Sequence, residues 1–334
     1  MKDSLKEKYL GDLVTSSGKI KATIDDRAAK GVGIVSEILA LLEEIPLGSY
    51  KLDMGLKLRQ AKFINGILFS SEAWHGISND DVKVLEKIDE SLIRALLQAH
   101  AKVPIEFLYL ETGSIRIRHI LSSRRLMYFQ TLLMRDDEEV TKRVLREQQC
   151  HPCPGDFVML IKDDCEKLNM LYDENCIITA GRGYKKHIKK SVRHAAFNEL
   201  LNEQKEHSKV KDIKYEKFDV QPYLKSSMFT NEDVSLLAAL RSHTVRGIRC
   251  NFKNCYKPNI FCPLKCWPTG SPPIEDTQEH LLVCTQLKIV HTNTVANTKI
   301  NYCDIYGELV KQKAVVSLFK QLIGLRNTLL ENES

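Results

Sequence analysis

The sequence lacks a long uninterrupted apolar segment. Its first ten residues, MKDSLKEKYL, are polar and contain no signal region. The most apolar stretch near the N-terminus, GVGIVSEILALLEEIPLG, is interrupted by Glu37, Glu43 and Glu44, so it is typical of an amphipathic helix and not of a membrane span. The ten cysteines are scattered and do not form a dense framework. We therefore expect an intracellular protein, nuclear or cytoplasmic, with reduced thiols and no membrane partner.

The sequence also lacks the common catalytic motifs. It contains no GxxxxGKS/T phosphate loop, no GxSxG elbow and no HExxH pair. Asp163 and Asp164 are interpreted as part of a helix face. Four histidines, His119, His187, His194 and His243, are isolated and are not interpreted as catalytic. No catalytic residue is therefore predicted, and an independent enzyme is disfavoured.

Composition leaves the class of partner open. The chain has 334 residues, of which 43% are hydrophobic and 28% charged, as in an ordinary globular protein. This length allows two domains and a sizeable core. The formal net charge of +6 is too small to establish a polyanionic partner, so local clusters of basic residues must carry that argument.

Helical periodicity dominates the chain. After a short strand predicted near Tyr9–Val14, apolar residues recur every three or four positions over 20–45, about 50–74 and about 78–99, with Ser78 as a plausible N-cap. Next come a Pro-led helical turn, a glycine and a basic helix that continues to about Met134. Later patterns predict helices near 156–172, 182–205, 231–246, through Cys284, and over 304–330. The sequence therefore predicts a mainly α fold, in which a helical bundle is followed by a helical linker and a small cysteine-containing C-terminal region. The Cys/Pro/Gly loop CHPCPGD indicates a boundary, and the predicted domains are 1–149, 150–245 and 246–334.

One segment has the spacing of a metal site. Residues 262–284 read CPLKCWPTGSPPIEDTQEHLLVC, with cysteines at 262, 266 and 284 and a histidine at 280. His280 and Cys284 are four residues apart on a predicted helix and face one way. Three thiolates and one imidazole fill a tetrahedral zinc and leave no position for water, so the predicted cofactor is a structural zinc. The alternatives are chance spacing, or replacement of one ligand by Cys250 or Cys255.

Basic residues cluster in GRGYKKHIKKSVRH. A helix over this run distributes positive charge around Tyr184 and suits a phosphate backbone, although an ordinary solvated helix face has the same pattern. The candidate residues are Arg182, Lys185, Lys186, Lys189, Lys190 and Arg193. Weaker candidates are Lys57, Arg59 and Lys62 on the second helix, and Arg116, Arg118, Arg124 and Arg125.

Several colinear stretches resemble the part of LINE-type (non-LTR) retrotransposon reverse transcriptases that follows the catalytic palm. They cover nearly the whole chain: KYLGDLVTSSGKIKATIDDRAAKG, LRQAKFINGILFSSEAWHGIS, LEKIDESLIRALL, FLYLETGSIRIRHILSSRRLMYF, PGDFVMLIKDD, LRSHTVRGIRCNFKNCY, CPLKC and EDTQEHLLVC. The resemblance implies a primer grip at Tyr9, Leu10 and Gly11, a helical thumb, a linker and a zinc knuckle whose ligands are Cys262, Cys266, His280 and Cys284. The gap of three residues between Cys262 and Cys266 departs from the family's usual two.

The resemblance also implies a function and partners. The fingers and the palm with its YxDD motif are expected upstream of Tyr9 and are not in this sequence, so the chain looks like a fragment of an RNA-directed DNA polymerase without its catalytic residues. Lys57, Arg59 and Lys62 are expected to contact a template–primer duplex. The implied partners are RNA, an RNA–DNA hybrid or target DNA, and an upstream palm. An inactive or host-adopted helical protein-interaction module is the alternative. A continuous basic groove from the thumb helices to 182–193 favours nucleic acid.

Overall fold

The computed structural model describes residues 20–45, 49–74, 76–246, 248, 260–287 and 301–332, and the backbone of 6–9 and 12–15. The fold of these residues is mainly α, as the sequence predicts. The predicted N-terminal strand is a hairpin of two short antiparallel strands, β1 (Lys6–Tyr9) and β2 (Asp12–Thr15). Lys6 pairs with Thr15, and Tyr9 pairs with Asp12.

Helices make up most of the remaining described chain. They are α1 Lys21–Glu43, α2 Ser49–Leu58, α3 Asn65–Ile67, α4 Asn79–Leu96, α5 Ile105–Thr112, α6 Ile117–Leu133, α7 Val140–Cys150, α8 Phe157–Lys167, α9 Glu174–Ala180, α10 Arg182–Lys205, α11 Pro222–Lys225, α12 Asn231–Arg241, α13 Gln278–Leu281 and α14 Leu309–Asn332. A π-helical segment, Arg59–Ile64, joins α2 to α3, and 3₁₀ turns lie at Ser71–Ala73, Thr285–Leu287 and Tyr302–Tyr306.

Two long helices begin at capping boxes. The backbone N–H of Asp81 donates to the hydroxyl of Ser78 at 3.2 Å, and the backbone N–H of Ser78 donates to the Asp81 carboxylate at 3.1 Å. Ser78 is therefore the N-cap of α4, as predicted. Thr230 and Asp233 form the same pair at the start of α12. Each box satisfies backbone donors that the first helical turn leaves unpaired.

The second predicted helix is not continuous. The pattern near 50–74 predicts one α-helix, but the structure changes to π geometry over Arg59–Ile64 and ends α3 at Ile67. Gly66 lies where a Cβ would be 2.8 Å from the Ile34 side chain, so this part of the chain packs closely on α1. Side-chain periodicity does not reveal the insertion of one residue into a turn, and this is why the sequence missed the π segment.

The hydrophobic core crosses both predicted domain boundaries. Its largest cluster combines buried residues from all three predicted domains, for example Phe107, Leu200 and Phe319. A second cluster joins Leu126 on α6 to Ile188 on α10. A third lies between α1 and α4, and it includes Trp74. The helices that carry the candidate sites are thus packed into shared cores.

Candidate metal centre and basic surface

The structure brings the four predicted metal ligands together. One ligand atom from each of Cys262, Cys266, His280 and Cys284 lies within 4.8 Å of all the others, and all four residues are buried. The Sγ of Cys266 and the Nε2 of His280 are 3.2 Å apart. Sulfur and imidazole donors in a closed group of four are suited to a soft or borderline transition metal. The four residues could therefore hold one metal ion.

Backbone pairing positions the first two cysteines. The backbone N–H of Cys262 donates to Ile274 at 2.9 Å, and that of Asp276 donates to Ile260 at 2.8 Å. These bonds flank an antiparallel bridge between Phe261 and Glu275 and close the Pro-rich loop at its base.

The chain then turns sharply between the two cysteines. The N–H of Lys265 donates to the carbonyl of Cys262 at 3.2 Å, and Lys265 has a φ of 46°. This left-handed residue reverses the chain, so that Cys266 faces Cys262 across the extra residue in the spacing.

The second pair of ligands differs from the prediction in one respect. The sequence predicts a helix through Cys284, but α13 ends at Leu281, and a turn and a 3₁₀ segment follow. Thr277 caps α13 by accepting from the N–H of His280 at 3.0 Å. The carbonyl of His280 accepts from Val283 at 3.0 Å, and this turn brings Cys284 back toward the histidine.

One thiol of the group favours the anionic form. The pKa of Cys262 is lowered to about 5, chiefly by the hydrogen bond from Cys284. Burial alone would raise this pKa, whereas His280 and the backbone N–H of Leu264 also lower it. Burial raises the pKa of Cys266, and the hydrogen bond to Cys262 raises the pKa of Cys284. Metal ligands must be thiolates, so the binding of a cation to this group would release the protons of Cys266 and Cys284.

The metal centre is tied to the main core. Asp276 is fully buried and accepts from Arg326 of α14 at 2.7 Å. Gln278 donates to the carbonyl of Leu240, at the end of α12, at 2.9 Å. These hydrogen bonds fix the position of the ligand loop relative to α12 and α14.

All six basic candidates on α10 are exposed. They are Arg182, Lys185, Lys186, Lys189, Lys190 and Arg193, and none of them forms an ion pair within the described part of the chain. Tyr184, Ile188 and Val192 form the opposite, buried stripe of the helix. The segment 182–193 contains no acidic residue. This helix therefore presents a strongly positive face, which we call the α10 basic face.

The basic candidates on the second helix divide into two groups. Lys57 and Lys62 are exposed and pair with Asp53 at 2.6 Å and Glu37 at 2.5 Å. Arg59 is instead 4% exposed and pairs with Asp89 inside the protein. Arg59 therefore does not share an exposed basic face with Lys57 and Lys62, because the helix turns it toward the core.

The four arginines of α6 and its N-cap are also engaged in contacts. Arg116 and Arg125 are buried, and Arg125 pairs with Asp164 at 2.7 Å. Arg118 pairs with Glu86 at 2.5 Å, and Arg124 donates to Asn65 at 2.9 Å. Arg116, Arg118 and Arg125 are thus neutralised by carboxylates, whereas the hydrogen-bond partners of Arg124 are neutral groups and leave its charge uncompensated.

A cleft of about 540 Å³ lies where the π-helical segment, the α5–α6 connection, α6 and α10 meet. We call it the α10 cleft. Its lining includes Arg59 and Gln60 of the π segment, Ser123 and Met127 of α6, and Lys189, Val192 and Arg193 of α10, together with Leu56, Thr112, Gly113, Ser114, Ile115, Ile120, Arg124 and Val220. The cleft is thus continuous with the α10 basic face through Lys189 and Arg193.

The basic residues of the cleft are among the sequence candidates, but its polar uncharged residues are not predicted. Gln60, Ser114 and Ser123 are ordinary polar residues in three separate segments, and no motif connects them. The π geometry at Arg59–Ile64 is the one local feature that is often found at functional sites, and it does not show in the residue pattern.

Some predicted positions lie outside the described residues. These are Leu10 and Gly11 of the proposed primer grip, and the alternative ligands Cys250 and Cys255. Tyr9 is the last residue of β1, where the backbone alone is described. Among the helices that the structure describes, none combines the length and the apolar character needed to cross a membrane.

Comparison of the chain with protein-family models, curated proteins and solved structures finds no match.

Proposed function

We propose that the chain binds nucleic acid, with the α10 basic face against the phosphate backbone. The observation that carries this proposal is the set of six exposed cations on α10 that form no ion pair within the described residues. Cations that neutralise phosphates release condensed counterions, and this is the main source of affinity for a nucleic acid backbone. Basic residues on other helices are instead ion-paired, since Lys57, Lys62 and Arg118 all have carboxylate partners.

The positive charges of the α10 basic face destabilise the free protein. Arg182 is the first residue of the helix, and Lys185 and Lys186 follow within the next turn, where the helix dipole favours acidic residues. Like charges three and four positions apart repel one another by about 0.2–0.5 kcal/mol per pair. A bound polyanion removes both penalties, which favours a binding role over a solvated face.

The proposed metal is zinc in a structural role. Four protein ligands complete a tetrahedral shell at Zn–S and Zn–N distances of about 2.3 and 2.0 Å, which places ligand atoms about 3.3–3.8 Å apart. The mutual separations of up to 4.8 Å are close to that geometry. Such a centre joins the Pro-rich loop to α13 and, through Asp276 and Gln278, to the core.

These features suit the resemblance to the C-terminal part of a LINE-type reverse transcriptase. In that proposal, the helices within residues 1–149 serve as the thumb, α10 lies in the basic linker, and residues 262–284 are the knuckle. The α10 cleft adds support, because it brings the π-helical segment, at the exposed Gln60, next to Lys189 and Arg193 of α10. RNA, an RNA–DNA hybrid and target DNA are the proposed ligands, and an upstream palm is the proposed protein partner.

The experiment compares salt dependence of binding in two variants of equal charge. One variant replaces Lys185, Lys186, Lys189 and Lys190 with Gln. The control replaces four exposed lysines elsewhere with Gln, namely Lys83, Lys87, Lys205 and Lys311. Affinities for labelled RNA, RNA–DNA hybrid and duplex DNA are measured between about 50 and 200 mM salt.

We expect the α10 variant to bind more weakly. The slope of the logarithm of the binding constant against the logarithm of the salt concentration should become shallower by about 0.7–0.9 for each phosphate contact removed. The control is expected to retain most of the slope. Equal slopes in the two variants contradict the assignment to α10. Absence of measurable affinity in the unmodified protein at low salt contradicts nucleic-acid binding and favours the protein-interaction alternative.

A further inference from the structure

The α10 cleft has an unusual charge balance. Four of its lining residues are cations, Arg59, Arg124, Lys189 and Arg193, and none is acidic. By contrast, the larger cleft on the other side of α10 includes Glu199. Arg59 is neutralised by Asp89, so the remaining positive charge lies with Arg124 and, at the α10 wall, Lys189 and Arg193. An anionic ligand is therefore favoured.

Three polar residues in the cleft lack partners. The side chains of Gln60, Ser114 and Ser123 form no hydrogen bond within the described part of the chain. Ser114 is 7% exposed and Ser123 is 9% exposed. The Gln60 side chain is exposed, and neither serine hydroxyl is among the fully enclosed unpaired atoms of the described residues, so all three polar groups can reach a ligand in the cleft. An amide and two hydroxyls both donate and accept, which is what the edge of a nucleobase requires.

Arg193 is held at the cleft by aromatic stacking. Its guanidinium lies over the Phe218 ring, 5.2 Å from the centroid. Phe218 stacks on Phe197 with centroids 5.5 Å apart and planes at 17°. The ring contact orients the guanidinium of Arg193, and the planar group can make paired hydrogen bonds to a phosphate.

We propose that the α10 cleft binds one unpaired nucleotide of the nucleic acid whose phosphates lie along the α10 basic face. Ile120, Met127 and Val192 supply apolar wall, Gln60, Ser114 and Ser123 contact the base edge, and Lys189 and Arg193 hold the flanking phosphates. This inference rests on the proposed function. It narrows the ligand to a single strand, a bulge or an unpaired end, because bases inside a continuous duplex cannot enter a pocket.

The first test blocks the cleft. Met127→Trp fills space at a half-buried position of α6. Binding is measured for single-stranded RNA, single-stranded DNA and a blunt duplex of the same length, and circular dichroism checks the fold. We expect at least about a fivefold loss of affinity for the single strands and no change for the duplex, since base hydrogen bonds and apolar contacts are removed while phosphate contacts remain.

The second test does not depend on the folding of that variant. A series of single strands carries one abasic nucleotide at successive positions, so that every phosphate is kept and one base is removed. At least one position is expected to lose affinity by about fivefold in the unmodified protein, and Gln60→Ala at an exposed position is expected to reduce that loss. A difference between the RNA and DNA series shows whether the sugar hydroxyl is also read.

The outcomes separate the two proposals. If Met127→Trp folds and binds single strands as tightly as the unmodified protein, or if no abasic position weakens binding, the cleft proposal is overturned and binding by α10 stands. If the four α10 lysines can be replaced without loss for any nucleic acid, the proposed function fails. Loss of affinity for all nucleic acids in the α10 variant, with loss for single strands alone in Met127→Trp, supports both.

Discussion

Arg59 and Asp89 form a bidentate ion pair inside the protein. The Nε and Nη2 atoms of Arg59 donate to the two carboxylate oxygens of Asp89, each at 2.6 Å. Tyr109 donates to the same carboxylate at 2.8 Å, and Arg59 also donates to the carbonyl of Ile115 at 2.9 Å. Asp89 is fully buried. This network joins the π-helical segment to α4, α5 and the wall of the α10 cleft.

Removing one partner of this pair is expected to be strongly destabilising. Asp89→Leu leaves the Arg59 charge buried and unpaired, and we expect a loss of about 3–5 kcal/mol in the free energy of unfolding. The double variant Arg59→Met/Asp89→Leu removes both charges and is expected to recover most of that loss. Urea unfolding followed by circular dichroism measures both values.

The matched control is an exposed pair on the same helix. Lys83 and Asp80 are 2.9 Å apart at the surface of α4, and Asp80→Ala is expected to cost less than about 1 kcal/mol. If Asp89→Leu costs no more than this control, the buried pair does not stabilise the fold as argued.

Metal removal is expected to destabilise the region around residues 262–284. The purified protein should contain about one zinc ion per chain, and His280→Ala or Cys284→Ser should lose it, because a tetrahedral shell needs all four ligands of the group. Metal analysis measures the content, and thermal unfolding with and without a chelator measures the effect on stability. Cys150→Ser, at an exposed cysteine remote in sequence, is the control and should retain the metal. Unchanged zinc in His280→Ala contradicts the assignment of that ligand.

The sequence predicts the features that depend on local spacing. Ser78 and the three or four residue repeats locate α4 and α10 closely, and the spacing of Cys262, Cys266, His280 and Cys284 identifies a group that the fold does assemble. Each of these features depends on residues that are close together in the chain, so it can be recognised from a single sequence.

Other features depend on partners far away in the chain. The side chain of Arg59 points into the core because it pairs with Asp89, thirty positions later. The side chain of Arg125 pairs with Asp164 in the same way. A basic residue on a predicted helix looks the same whether its partner is a phosphate or a buried carboxylate. For the same reason the α10 cleft, which combines four separate segments, could not be predicted.

Glu199 is expected to make the stability of the chain depend on pH in the acidic range. Burial alone would raise the pKa of Glu199, but the hydrogen bond from His119 and the charges of Arg118 and Arg116 outweigh it and bring the pKa to about 2. The carboxylate lies 2.9 Å from Arg116 and 3.0 Å from His119. A folded pKa below the unfolded value means that the charged form stabilises the native state.

This contribution is fully present above the unfolded pKa, near 4.5. It is lost as the pH falls from there toward about 2. Glu199→Gln is therefore expected to be about 1–3 kcal/mol less stable than the unmodified protein at neutral pH. The difference should shrink below about pH 4.5. Glu147→Gln, at an exposed carboxylate 3.8 Å from His151, is the control and should follow the unmodified protein. A Glu199→Gln difference that is constant between neutral pH and about pH 3 rules out this linkage.

Two glycines are expected to respond to alanine in opposite directions. Gly113 ends α5 with a φ of 58°, and a Cβ there would lie 2.6 Å from the backbone carbon of Asp219. Gly113→Ala combines backbone strain with a contact that a rigid segment cannot relieve, so we expect it to cost at least about 2 kcal/mol. Gly33 is exposed within α1, and a Cβ there meets nothing within 4 Å. Gly33→Ala is expected to stabilise by about 0.5–1 kcal/mol, because it restricts the unfolded chain and favours helix. Urea unfolding of both variants measures the two signs, and a loss of stability in Gly33→Ala as large as that in Gly113→Ala contradicts the packing described for α1.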